Sequence, residues 1–208
     1  MDTTMDTLDK SNLYDTYHNS YSGFFSPTEC DTIRNTIEED ADKLPRGKNT
    51  GYTGLTSTYT VYNWLSHPIL EPLDIPNRLR EYKEFRDWEY LIIQCWCNQL
   101  HQGEGLQRHM HGNRFHPMLK SSNFFLNCNI FLGGEYNITW YEDIGEVENK
   151  VGDIHIFSSN LEHEVYTNTG TDIRHSMALD IYPNLTTLNQ PGAFNSQRFR
   201  IYKRDPAV

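Results

Sequence analysis

Three histidines and one arginine carry most of the chemistry available to this sequence. They are His109 and His111 in Arg108-His109-Met110-His111, His163 in Leu161-Glu162-His163, and Arg174 in Asp172-Ile173-Arg174-His175-Ser176. Residues at i and i+2 of an extended segment project from one face, so His109 and His111 point together. His163 follows about 50 residues later, and an antiparallel sheet brings it onto that face. Three imidazoles form a metal grip, and imidazole suits iron(II). Arg174 comes eleven residues after His163, a distance that a hairpin spans, with the guanidinium in the same cavity. Its planar fork gives two parallel hydrogen bonds to a carboxylate. Ser176, at i+2, shares the face and can donate a third. The order and spacing point to redox chemistry at iron, with an acidic co-substrate held beside the metal.

The rest of the chain has to position these groups. Its 208 residues fit one domain with a sizeable core, and the chain is rich in aromatics at 13%. Residues 1 to about 20 read as a flexible leader, and 21–208 as a single domain. Ser26-Pro27-Thr28-Glu29 is a helix start: a capping serine, a proline in the first turn, and a glutamate closing a capping box. Cys30, Ile33, Ile37 and Ala41 recur at helical spacing, which predicts a helix over 27–44, stopped by Pro45. Tyr59–Trp64 reads as a short strand and Asn77–Arg86 as a second helix. From Trp88 the pattern is β, with strands expected at 88–100, 107–111, 122–132, 136–142, 153–158, 163–168, 173–182 and 197–203 and glycines between them. A mainly β chain with a helical preface predicts a jelly roll, a double-stranded β-helix with one or two N-terminal supporting helices.

Charge and cysteine content narrow the setting. A net charge of −10 disfavours a nucleic-acid backbone as partner. No apolar run is long enough to span a membrane and the N-terminus lacks a signal-peptide core, so a cytoplasmic location is expected. The four cysteines then read as thiols. Cys95-Trp96-Cys97 is a weak metal motif, because it has no second pair.

The run Gly152-Asp153-Ile154-His155-Ile156-Phe157-Ser158-Ser159-Asn160-Leu161-Glu162-His163, followed by Arg174-His175-Ser176-Met177-Ala178-Leu179-Asp180-Ile181, resembles the C-terminal half of the 2-oxoglutarate/Fe(II)-dependent oxygenases. With Cys95-Trp96-Cys97-Asn98 ahead of His109-Met110-His111, it is similar to a small branch common in tailed phages and marine bacteria. The resemblance covers residues 88–182. It implies that Fe(II) and 2-oxoglutarate are the cofactors and that oxidative decarboxylation is coupled to hydroxylation of a prolyl residue in a peptide or of a small metabolite. It also implies His109, His111 and His163 as iron ligands, with Arg174 and Ser176 anchoring the far carboxylate of 2-oxoglutarate. The commonest members carry His-x-Asp or His-x-Glu where His111 stands. His111 is therefore either a third imidazole ligand or a support behind the metal.

Other readings use the same residues. Surface or core histidine is the ordinary fate of any one imidazole. A cupin would take His155 as its last ligand, with His116 where a glutamate usually stands, and would not need 2-oxoglutarate. A non-catalytic jelly roll would leave the histidines apart. Asn98 either reaches the co-substrate or satisfies backbone, and Trp96 reads as core. Asn123, Asn127 and Asn129 line a pocket mouth or a wet sheet face. His116 lies on a possible lid. Segments 45–65 and 112–121 are expected to set specificity.

Overall fold

The computed structural model describes residues 17–47, 54–111, 125–184 and 197–204. His116, Asn123, the 112–121 segment and the first residues of the expected 122–132 strand lie outside them. Two helices, α1 (Pro27–Asp40) and α2 (Ile75–Arg80), accompany ten strands: β1 (His18–Tyr21), β2 (Tyr90–Leu100), β3 (Leu106–His109), β4 (Leu126–Gly133), β5 (Ile138–Tyr141), β6 (Gly145–Glu148), β7 (Ile154–Ser158), β8 (His163–Val165), β9 (Arg174–Tyr182) and β10 (Arg200–Lys203). A six-stranded sheet runs β1-β7-β4-β9-β2-β10 and a four-stranded sheet runs β3-β8-β5-β6. The pairings are antiparallel. Tyr141 of the second sheet packs on Phe157 of the first, with ring centroids 5.1 Å apart. Two facing sheets with helices braced outside them are the jelly roll that the alternation predicts.

The large sheet divides its two faces sharply. One phase of its strands carries Ile93, Cys95, Cys97, Cys128, Ile130, Ile154, Ile156, Met177, Leu179 and Ile181. These pack into one core with Cys30, Ile33 and Ile37 of α1 and with Ile75 and Leu79 of α2. The other phase holds polar groups in register: Gln94 beside Asp180, Asn98 beside Ser176, Asn127 beside Asp180 and Asn129 beside His155. The apolar core therefore lies between sheet and helices, and the space between the sheets is left for chemistry.

Helix α1 starts as its sequence predicts. The Ser26 hydroxyl accepts from the Glu29 amide at 3.3 Å, and the Glu29 carboxylate accepts from the Ser26 amide at 2.8 Å. A turn of 3-10 helix at Ala41–Lys43 extends it to the predicted end.

Four local expectations are corrected. Tyr59–Trp64 is not a strand. Gly54–Thr60 and Trp64–Ser66 are 3-10 helices, held from β2: the Gln94 side chain donates to the Tyr59 carbonyl, and Asn98 accepts from the Thr56 hydroxyl at 2.7 Å. Tertiary hydrogen bonds override the β propensity of Thr and Tyr there. The second helix begins at Ile75 and ends at Arg80, because Pro76 fits the first turn, where its missing N–H costs nothing. Gly145–Glu148, expected as a turn, pairs with β5. His18–Ser20, expected within the leader, form β1 with Tyr21 and pair with β7. Buried Glu84 holds β1 in place by accepting from Tyr17, from Asn19 at 3.4 Å and from Tyr21 at 2.8 Å.

One glycine bears directly on the site. Gly134 has φ +119°, and a Cβ there would come within 2.6 Å of the Ile173 carbonyl and 2.7 Å of the Arg174 Cα. Gly134→Ala is expected to destabilise the protein by about 3 kcal/mol, combining backbone strain with overlap. Urea unfolding checks this, and a loss below about 1 kcal/mol would contradict it.

Candidate active site

β3 and β8 bring the imidazoles together. His109 and His163 are partners in the β3–β8 register, and their ring centroids lie 4.3 Å apart. His111 follows the end of β3, and its amide donates to the Ser159 carbonyl at 3.1 Å. Its ring lies 5.2 Å from each of the other two. One nitrogen from each ring falls within 4.8 Å of the others. The Nδ1 of His109 faces the Gln107 carbonyl at 2.7 Å, that of His163 faces the Leu161 carbonyl at 3.1 Å, and that of His111 faces Asp180 Oδ1 at 2.6 Å. With each Nδ1–H committed as a donor, Nε2 is the nitrogen that each ring can present as a metal ligand. Burial and the neighbouring imidazoles push His109 down to about 4 and His163 well below its usual range. Those two rings are thus neutral at physiological pH, as ligation requires.

Asp180 was not singled out from the sequence. It lies on β9 in phase with Arg174 and Ser176, is buried, and supplies a carboxylate behind His111. Its signal was the period of two, continued from Arg174 through Ser176 and Ala178.

Arg174 is 0% exposed. Its Nη1 donates to the Ser176 hydroxyl at 3.2 Å and its Nη2 to the Thr139 hydroxyl of the opposite sheet at 3.4 Å. The Phe131 ring lies 5.4 Å from its guanidinium. Its Nε has no hydrogen-bond partner, and no ion pair engages it among the described residues. Burial lowers its pKa to about 10, so it stays charged at neutral pH. Asn98 donates to the Ser176 hydroxyl at 3.3 Å while accepting from Thr56. It thereby fixes the hydroxyl beside Arg174.

A cavity of roughly 280 Å³ is lined by the three histidines, Asn98, Thr139, Trp96, Asn129 and Asp180 among others, with Arg174 and Ser176 directly behind its Thr139 and Asn98 walls. Trp96 is buried in the core as expected and is also one of the cavity's walls, with its ring 5.5 Å from that of His111. Asn129 lines the cavity, whereas the Asn127 amide is buried without a partner. His155 does not join the triad. Its Nδ1 lies 3.3 Å from His18 Nε2. The cupin ligand set is therefore not assembled among the described residues. Cys95 and Cys97 are buried free thiols on the helix side.

No family model and no curated protein matches the sequence. Solved structures do. HygX from Streptomyces hygroscopicus, with nickel and 2-oxoglutarate bound, aligns over 88% of each chain with a TM-score of 0.60 at 12% identity. The viral collagen prolyl hydroxylase of Paramecium Bursaria Chlorella virus-1, in its 2-oxoglutarate complex, aligns over 79% of this chain and 94% of its own, with a TM-score of 0.54 at 14% identity. A Pseudomonas putida prolyl-4-hydroxylase aligns over 84% and 92%, with a TM-score of 0.53 at 11% identity. This chain has the fold of the 2-oxoglutarate/Fe(II) oxygenases.

Two predictions follow from the site. Asp180→Ala is expected to weaken Ni(II) binding by roughly ten- to a hundredfold, the usual cost of losing a hydrogen-bond partner behind a ligand. Calorimetric titration reads it, and unchanged affinity would remove Asp180 from the site. The second concerns pH in the metal-free protein. Burial depresses His18 and His155 to about 4 from 6.5. Between those values the unfolded chain takes up protons that the folded one refuses. Stability is therefore full above about 6.5 and is lost as pH falls toward about 4. Denaturant unfolding between pH 6.5 and 5 should show this loss, with a shallower slope in His155→Asn; equal slopes would contradict it.

Proposed function

We propose that the protein is an Fe(II)- and 2-oxoglutarate-dependent hydroxylase. His109, His111 and His163 hold the metal, and Arg174 with Ser176 anchors the far carboxylate of the co-substrate. Arg174 carries the reading. A guanidinium wholly removed from water, hydrogen-bonded among the described residues to two hydroxyls with Nε unpartnered, calls for an anion to complete it. Thr139 and Asn98, which bond Arg174 and Ser176, line the cavity that the imidazole triad opens onto. The donor set fits the metal: three imidazoles, each oriented through Nδ1. A solved structure of the same fold carries nickel and 2-oxoglutarate together.

Iron with 2-oxoglutarate supplies an oxidant able to hydroxylate an unactivated C–H bond. The protein supplies the rest. Thr139 and Ser176 hold Arg174 from both sheets, so the guanidinium is aimed before any ligand arrives. Asp180 fixes the His111 tautomer, and Trp96 and Phe157 give the space apolar walls. Of the two substrate classes expected, a prolyl residue in a peptide or a small metabolite, the cavity volume favours the small molecule. The described residues contain no helix long and apolar enough to cross a membrane. The four buried thiols suit a reducing cytoplasmic compartment.

Arg174→Ala is expected to raise the 2-oxoglutarate concentration needed for turnover by at least about thirtyfold, the cost of leaving one charge of a buried pair alone. His163→Ala should abolish iron-dependent succinate formation, and His155→Ala should leave most of it. An unchanged 2-oxoglutarate requirement in Arg174→Ala would sink the anchor. Loss of activity in His155→Ala alone would favour a cupin-like centre.

A further inference from the structure

We propose that the primary substrate carries a carboxylate, which docks on Arg198. The inference rests on the reading above, in which 2-oxoglutarate occupies Arg174. A second cation, Arg198, lines the same cavity together with Gln94, Tyr59, Trp96 and Tyr182. Its Nη2 donates to Gln94 Oε1 at 3.2 Å. Gln94 is itself locked, because its Nε2 donates to the Tyr59 carbonyl. The Arg198 Nε is shielded from solvent and has no hydrogen-bond partner, and no ion pair engages the guanidinium among the described residues. Among the described residues lining the cavity, Arg198 is the one Lys or Arg side chain. It stands alone in a cavity, half satisfied by a neutral amide, with a donor left over for a planar anion.

Its position sets what a ligand would do. Gln94 is in register with Asp180, about 5 Å away across the strand pair, and Asp180 bonds His111. The Trp96 ring lies 5.5 Å from His111 and 5.9 Å from Tyr59. A molecule lying along Trp96 with its acid end on Arg198 has its body beside the histidine triad, which is where hydroxylation requires it. Asp180, close by, disfavours a second negative charge on the ligand. That selects a monoanionic carboxylate over a phosphate dianion. Arg174, behind Thr139 and Asn98, and Arg198, among the aromatic walls, would thus each receive one acid.

The test uses the full chain loaded with Ni(II) and 2-oxoglutarate. N-acetyl amino acids are titrated by calorimetry, each against its neutral carboxamide. The expected result is at least one acid bound roughly tenfold or more tightly than its amide. In Arg198→Gln that preference should vanish while 2-oxoglutarate affinity moves less than about twofold, and Arg198→Lys should restore part of it. If no acid is preferred over its amide in the unaltered protein, the inference is overturned, and that comparison needs no variant to fold. A preference that survives Arg198→Gln overturns it equally. Failure of 2-oxoglutarate itself to bind the unaltered protein is a separate outcome. It brings down the co-substrate reading, and this inference with it.

Discussion

A positive charge placed beyond the reach of water, with no acid paired to it among the described residues, is the constraint on which the interior of this protein depends. Arg174 lies at 0% exposure between two hydroxyls, one from each sheet. Burying such a group costs several kcal/mol unless something compensates it, and helix-side packing supplies nothing of the kind. The compensation is architectural. The large sheet gives its apolar phase to α1 and α2 and keeps its polar phase, from Gln94 to Asp180, for the space between the sheets. Most sandwiches fill that space with hydrocarbon. Here the helices take over the core, and the sheets are free to enclose a cavity.

The same division explains why the site is built from short reaches. β3 and β8 need pair over only a few residues for His109 and His163 to meet, and His111 is pinned by one backbone bond to Ser159. Each imidazole is then turned by a single acceptor on Nδ1, two of them backbone carbonyls from residues two positions earlier. Such local acceptors come with the strand itself, so the ring orientation does not depend on distant packing.

Much of this was legible in the sequence because it is periodic. His109 with His111, and Arg174 with Ser176, declare a shared face through a spacing of two, and the Ser26–Glu29 box declares a helix start. Asp180 obeyed the same period but was not read, because a lone acid deep in an apolar run gives no sign of which histidine it will meet. The 3-10 helix at Gly54–Thr60 was illegible for another reason. Its residues favour strands, and only the side chains of Gln94 and Asn98, some 40 residues on in the chain, hold it otherwise. β1 escaped notice in the same way. Its partner, β7, lies far along the chain, and the Glu84 acceptor that ties it down belongs to neither strand.

The carboxylate of Asp180 sits one imidazole away from the triad instead of within it. If the three rings ligate a divalent cation, they add no negative charge of their own, and Asp180 acts on it through His111. Neutral donors stabilise the lower oxidation state of iron relative to anionic ones. An iron ion held here would therefore have a higher reduction potential than one with a carboxylate directly attached, and would be slower to rust to the ferric form between turnovers.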